Sequence, residues 1–362
     1  MIRPLDQRAG GYRVYEITSI DDLDLRTFLP MVDRAWQLDY ADQPRLDIDE
    51  AFLRKLARGP WWVGVLAVDG DGSPVGFELA LERTLRVGDR ALRAYYASVF
   101  TVSADHRRQG LGRWILECIN RLVFEEREAD VILSTFHQGH AGSPVVQSTF
   151  DRIPGWGVAR FHDSAIWSRR LDQDPLPASQ PSPSFVQLEM AGDRPESGLR
   201  AGGDDRAVPD AGTIDDLLRG EFETSFALSD SLSAQYLDRD NEASGLLLYE
   251  LGSGRIGLAG FNVVPMVRNE KRLRPIGQLQ LLAAPGSTGA QIEAVVRHVG
   301  RFLAARGCFA MTLLDMGVVP RSALDNLGFV ASETLITFAA RGPKSTIEAF
   351  AGLRPPFFLD FT

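Results

Sequence analysis

The stretch that most restricts the fold lies at residues 104–122. The segment "ADHRRQGLGR" (104–113) leads into Leu111, Trp114, Ile115, Cys118, Ile119 and Leu122, and this three-then-four spacing marks one face of a helix. Arg113, Glu117, Arg121, Glu125 and Glu126 fall off that stripe. A strand-like run, "ALRAYYASVFTV" (91–102), precedes the helix, and a second one, "DVILSTF" (130–136), follows it. Two strands joined through a helix in one sheet run parallel, by a right-handed crossover. Upstream, "WWVGVLAV" (61–68) ends at the turn "DGDGSP", and "VGFELALERTLRV" (75–87) ends at "GDR". Connections this short make these strands antiparallel neighbours. Residues 22–37 and 47–57 read as helices, capped by Asp22 and by Asp47 or Asp49.

The same order returns downstream. A helical stretch (214–240) precedes "GLLLYEL", the turn "GSGR", "IGLAGFNVVPMV" and "IGQLQLLA". A helix then carries Ile292, Val295, Val296, Val299, Phe302 and Leu303 on one face and stops at Gly307, and the strand "CFAMTLL" follows. Between the two series, residues 172 to about 213 are rich in proline, glycine and charge, with "FVQLEM" (185–190) as the first strand of the second series. The chain therefore reads as a tandem duplication of one α/β unit: 1–171, a proline-rich linker 172–183, and 184–362.

With 362 residues and 44% hydrophobic content, the chain can bury more than one small core. The formal net charge of -9 argues against a nucleic-acid partner, which needs a basic footprint. Its two cysteines, Cys118 and Cys308, fall inside apolar runs and read as buried thiols of a reducing compartment. The opening "MIRPLDQRAGGY" lacks an apolar core of signal-peptide type, and no stretch is long and apolar enough to span a bilayer. A cytoplasmic protein without a membrane partner is expected.

The segment 104–113 now has a context: strand, glycine-containing turn, helix start. Unpaired amides and the helix dipole favour an anion there. Gly110 and Gly112 admit close approach, and Arg107, Arg108 and Arg113 bring cations that suit phosphate. The arrangement resembles the acetyl-CoA signature of the GNAT N-acetyltransferase superfamily, (Gln/Arg)-x-x-Gly-x-(Gly/Ala), which Arg107, Gly110 and Gly112 match. In the longer family pattern the usual proline is Ala104 here and the usual aromatic is His106. The resemblance spans the element order of roughly 11–171 and, more faintly, 184–340. It implies an α/β (α+β) fold of two tandem GNAT-like units. Each is a mixed, mostly antiparallel sheet with helices on both faces and a splayed parallel strand pair.

By that resemblance, the backbone of Phe100, Thr101 and Val102 pairs with the pantetheine arm of acetyl-CoA, and an amide there stabilises the thioester oxyanion. Arg107, Arg108, Gln109, Gly110, Leu111, Gly112 and Arg113 cradle the pyrophosphate, and Ser143 joins the cofactor-binding set. The equivalent turn of the second unit, "LLAAPGSTGAQIEAVV", has no arginine and no such pattern, so one acetyl-CoA per chain is expected. The second half then shapes the acceptor site or stabilises the first, in a monomer with pseudo-dimeric halves or in a homodimer. The acceptor is a small-molecule or peptide amine.

The family's proton-donating tyrosine, in "Y-x-x-x-G-F", corresponds to Phe150 in "FDRIPGW" and to Leu324 in "LDNLGF", so neither half supplies it. Substitutes near the expected cleft are Tyr96 (with Tyr95 on the opposite face and Ser98 on its own), Glu78 on the neighbouring strand, and His137. His137 and His140 lack a third ligand at a matching spacing, so no metal is expected. The apolar ending "PPFFLDFT" packs into a groove, with the carboxylate of Thr362 as a candidate catalytic group. An N-acetyltransferase is the leading reading. Its rivals are a non-catalytic acyl-CoA sensor and an N-acyl amino acid synthase using a long-chain thioester or an acyl carrier protein.

Overall fold

The computed structural model describes residues 2–7, 11–40, 43–57, 61–137, 155–173, 176, 184–190, 199–201, 211–227, 236, 243–251 and 255–359. Helix α1 (Leu25–Tyr40) follows a 3-10 turn, and Asp24, rather than Asp22, accepts from the Arg26 amide at its start. Helix α2 (Glu50–Leu56) is capped by Asp49, whose side chain accepts from the Phe52 amide. Of the two candidates for α2, Asp49 is the one whose carboxylate reaches a free first-turn amide. The strands of the first series are β1 (Ile2–Gln7), β2 (Arg13–Ile17), β3 (Arg45–Leu46), β4 (Trp62–Val68), β5 (Pro74–Val87), β6 (Arg90–Val102), β7 (Val131–His137) and β8 (Trp156–Arg170). Helix α3 (Leu111–Asn120) joins β6 to β7 and runs on as a π-helical turn, Arg121–Glu126.

The second series holds β9 (Ser184–Met190), β10 (Leu199–Ala201), β11 (Thr224–Phe226), β12 (Ser244–Leu251), β13 (Arg255–Val264), β14 (Met266–Arg268), β15 (Lys271–Arg272), β16 (Ile276–Ala283), β17 (Ala310–Leu314), β18 (Val330–Pro343) and β19 (Phe357–Phe358). Its helices are α4 (Ala211–Glu221), α5 (Gly289–Ala305) and α6 (Arg321–Asn326). The helix expected over 214–240 ends at Glu221. Thr224–Phe226 instead add to the far end of β5 as a strand, because Phe226 is completely buried there.

Fourteen strands follow one path: β1-β2-β4-β5-β6-β7-β18-β8-β17-β16-β13-β12-β9-β10. As expected, β6 and β7 run parallel around α3, and β16 and β17 run parallel around α5. The sheet is otherwise mostly antiparallel, with helices on both faces. Its centre is an exchange. The last long strand of the second series, β18, lies between β7 and β8, and β8 lies between β18 and β17. Each series thus completes its sheet with the final long strand of the other. One hydrophobic core accordingly mixes Phe77, Leu79, Tyr96 and Leu133 with Leu246, Leu281, Phe338 and Phe350. The C-terminal Phe357, Phe358 and Leu359 are buried in that same core, and β19 pairs in parallel with β11.

The exchange brings a buried ion pair with it. Arg341 of β18 donates to the Glu78 carboxylate of β5 at 3.0 Å, and both side chains are 2% exposed. Burial pushes the Glu78 carboxyl above its ordinary range, and the Arg341 guanidinium pulls it back. Removing one partner strands the other charge in a low-dielectric interior. Arg341→Met is therefore expected to lower unfolding stability by about 3–5 kcal/mol in urea titrations, and adding Glu78→Leu to recover most of the loss.

Candidate active site

The site begins where β6 and β7 part. They pair only over Ala94–Tyr96 with Val131–Leu133, after which β7 pairs with β18 alone. The register of β6 against β5 slips between Phe77 and Leu79, and Val99 sits at φ 54. A β-branched residue in that region is a backbone outlier, here held by the bulge and by burial. The bulge resets the alternation of β6. Before it, Tyr96 faces the shared core; beyond it, Thr101 faces α1, where the Trp36 indole donates to its hydroxyl at 2.9 Å. Phe100 and Val102 face α3 and flank Gly112, where a Cβ would stand 3.3 Å from Phe100 and 3.4 Å from Val102. The edges of 97–102 and 134–137 that face each other carry no strand pairing, so a wedge opens between β6 and β7.

The turn at the mouth of the wedge is held from both sides. Arg107 donates to both oxygens of Asp39, to the Ala35 carbonyl and to the Val102 carbonyl. Its guanidinium is therefore committed to tying the turn to α1 and β6, a departure from the expected phosphate role. Tyr12 donates to Gln109 Oε1 at 3.0 Å, which makes His106 Nδ1 the donor of the 2.9 Å bond to the same hydroxyl. Arg113 pairs with Glu117 one turn on. Arg108 is exposed and, among the described residues, forms no ion pair. Gly110 takes the left-handed conformation at φ 78 as N-cap and offers no side chain to the first turn of α3. The amides of Leu111, Gly112 and Arg113 have no intrahelical acceptor, as in the first turn of any helix, and Arg108 stands beside them.

On the face toward α1, Tyr96 Oη lies 3.3 Å from Thr135 Oγ1, across the wedge just beyond the last strand pair. His137, at the end of β7, meets Tyr40 edge-on with ring centres 6.2 Å apart, and Tyr40 lies against Trp36. Burial raises the Tyr40 phenol above its usual range. The structure thus brings Tyr96 and His137 to one face, with Trp36, Tyr40 and Thr135, which the sequence reading did not single out. Trp36, Asp39 and Tyr40 recur at i, i+3, i+4 on one helix face, and that spacing was the available signal. Tyr95 points to the α3 face and bonds to Glu82, and burial pushes its phenol up to about 12.

Glu78 departs from its expected place. Phe77, Leu79 and Leu81 occupy the Tyr96 face, so strand alternation sends Glu78 to the α3 face, into its pair with Arg341. It does not join Tyr96 and His137 as an acid or base. Ser143, His140, Phe150 and Thr362 lie outside the described residues. Among the described residues no group of three or more His, Cys, Asp or Glu side chains is arranged to hold a metal ion, and no helix is long and apolar enough to cross a membrane.

The equivalent helix start of the second series is capped by side chains. Helix α5 starts with a capping box: Thr288 Oγ1 accepts from the Gln291 amide, and the Gln291 side chain accepts from the Thr288 amide. Of the first-turn amides, that of Gln291 is thus met at α5 by a side chain, whereas none of the corresponding amides of α3 is. A groove of about 360 Å³ between α1 and β2, lined by Arg13, Tyr15, Asp24 and Phe28, lies apart from the wedge.

The sheet, with its parallel pairs β6–β7 and β16–β17 around α3 and α5, has a GNAT-like fold. Saccharomyces cerevisiae N-myristoyltransferase, solved with bound myristoyl-CoA, superposes with a TM-score of 0.67 at 15% identity, over 99% of this chain and 84% of that one. A GCN5-related glucosamine N-acetyltransferase region of a fungal β-N-acetylglucosaminidase gives 0.60 at 16% identity, over 92% of this chain and 38% of that one. A probable N-acyltransferase of Enterococcus faecalis V583 gives 0.51 at 10%, over 94% of this chain and 74% of that one. No protein-family model and no curated protein sequence matches the chain. The asymmetry of the two helix starts is testable without a ligand. Thr288→Ala is expected to cost about 1 kcal/mol of stability in chemical denaturation.

Proposed function

We propose that the chain is an acyl-CoA-dependent N-acyltransferase whose donor lies in the wedge between β6 and β7. The carrying observation is the uncapped start of α3, with Arg108 beside it, at the open end of two strands that have stopped pairing. Pyrophosphate at the α3 amides leaves the pantetheine arm running along 102 to 100, with the thioester at the Val99 bulge. The backbone there supplies the oxyanion contact. The superposed N-myristoyltransferase and acetyltransferase region support this reading through their common fold.

A neutral amine attacks the thioester carbonyl carbon. The C–N bond forms, the C–S bond breaks, the nitrogen sheds a proton, and the leaving thiolate takes one up. We assign the first transfer to His137, at the mouth on the acceptor face. We assign the second to Tyr96, whose hydroxyl is already hydrogen-bonded to Thr135. The acceptor is a small-molecule or peptide amine entering from the α1 side. The second series contributes β18 and the buried C-terminal strand rather than a second donor site, so one chain carries one donor. The buried free thiols of Cys118 and Cys308 suit a cytoplasmic setting.

Titration calorimetry with acetyl-CoA is expected to give one site per chain, and Arg108→Ala about tenfold weaker binding, equal to about 1.4 kcal/mol. No binding by the unaltered protein would sink the proposal.

A further inference from the structure

We infer that the donor site takes a short acyl group, of the acetyl to butyryl class, and excludes long fatty chains. The inference rests on the acyl-CoA reading above. With pyrophosphate at the α3 start and thioester at the Val99 bulge, the acyl group extends onward toward the apex of the wedge, where Tyr96 pairs with Leu133. Val99 to Tyr96 is three residues of strand, about 10 Å. A fourteen-carbon chain at roughly 1.2 Å per bond spans roughly 16 Å when extended. It would have to leave the apex through one face of the sheet.

Both faces are closed at that point. On the α1 side, Tyr96 is buried and bridges to Thr135 across the wedge. On the α3 side, the Arg341 side chain reaches from β18 across β7 and β6 to Glu78 on β5, and this pair is completely enclosed. The apex on the α3 side is also polar. Ser134, the first residue of β7 past the last pair with β6, is 5% exposed, and its hydroxyl has no hydrogen-bond partner among the described residues. Asn120 is 6% exposed, and neither its Oδ1 nor its Nδ2 is hydrogen-bonded among the described residues. Its place follows from its helix neighbours. Leu116, one turn earlier, packs on Phe100 and Phe136 over the wedge. Phe124, one turn later, packs on Trp156 and beside Gly342. Asn120 therefore lies over the strands between these points, on the α3 face to which strand alternation also assigns Ser134 and Arg341. Methylenes set against a buried ion pair and unpaired amide and hydroxyl groups would deny those groups water without replacing their hydrogen bonds.

The test is a calorimetric series on the full chain with CoA, acetyl-, butyryl-, octanoyl- and myristoyl-CoA. Affinity is expected to hold from acetyl to butyryl and to fall tenfold or more by octanoyl. Tyr96→Ala, which opens the α1 face of the apex, is expected to narrow that gap at least tenfold by raising octanoyl-CoA affinity. Myristoyl-CoA binding as tightly as acetyl-CoA to the unaltered protein would overturn the inference while leaving the acyl-CoA reading standing. Failure of CoA and every thioester to bind would remove both.

Discussion

The exchange of β8 and β18 is the constraint on which the rest of the molecule depends. A sheet edge left open by either series would expose unpaired backbone groups. Here each edge is covered by a strand of the other series, so the two series share one continuous sheet. The exchange also carries Arg341 under the candidate site. A guanidinium supplied by the second series neutralises a carboxylate in the first, at the level where the wedge closes. Such a pair is weak as a source of stability and strong as a determinant of register. A slip of β18 by one residue would turn Arg341 into the opposite core and leave Glu78 alone.

The two helix starts show how one architecture is made to differ in its halves. At α5, Thr288 and Gln291 cap each other's amides. At α3, a glycine in the left-handed conformation holds the turn open, and the neighbouring polar side chains are aimed elsewhere. Arg107 serves Asp39 and α1, while Tyr12 restrains His106 and Gln109. Freezing the turn with side chains that do not cap it keeps the amides available and already ordered. Under the proposed donor site, that order lowers the entropic cost of binding pyrophosphate there.

Helix α1 links these parts. Its last two turns contact the turn through Asp39, the bulged strand through Trp36, and the end of β7 through Tyr40. The 104–113 turn and the face carrying Tyr96 and His137 are thus held by one rigid element, so the distance between them is set by a helix rather than by loops.

Much of this was legible in the sequence because it is local. The stripe from Leu111 to Leu122 demanded a helix, and its flanking runs demanded parallel strands. The arginine-glycine turn pointed to an anion, and the recurring order of elements pointed to a duplication. The side-chain roles were less legible. Arg107 is indistinguishable from Arg108 in the motif, and only the approach of Asp39 from α1 separates the guanidinium that builds the turn from the one left exposed. Glu78 read as a candidate base because strand alternation gives two faces without saying which one meets the acceptor. The bulge at Val99, which shifts that alternation partway along β6, has no residue signature of its own. Arg341 could not be connected to Glu78 at all, since 263 residues separate them and the contact exists only after two strands change places. The sequence alone determined most of the elements, their order and the glycine turn at 104–113, because periodicity and turn chemistry act within a few residues. Which face each side chain occupies, and where the wedge ends, were decided by the tertiary structure, because both depend on strand pairing between the two ends of the chain.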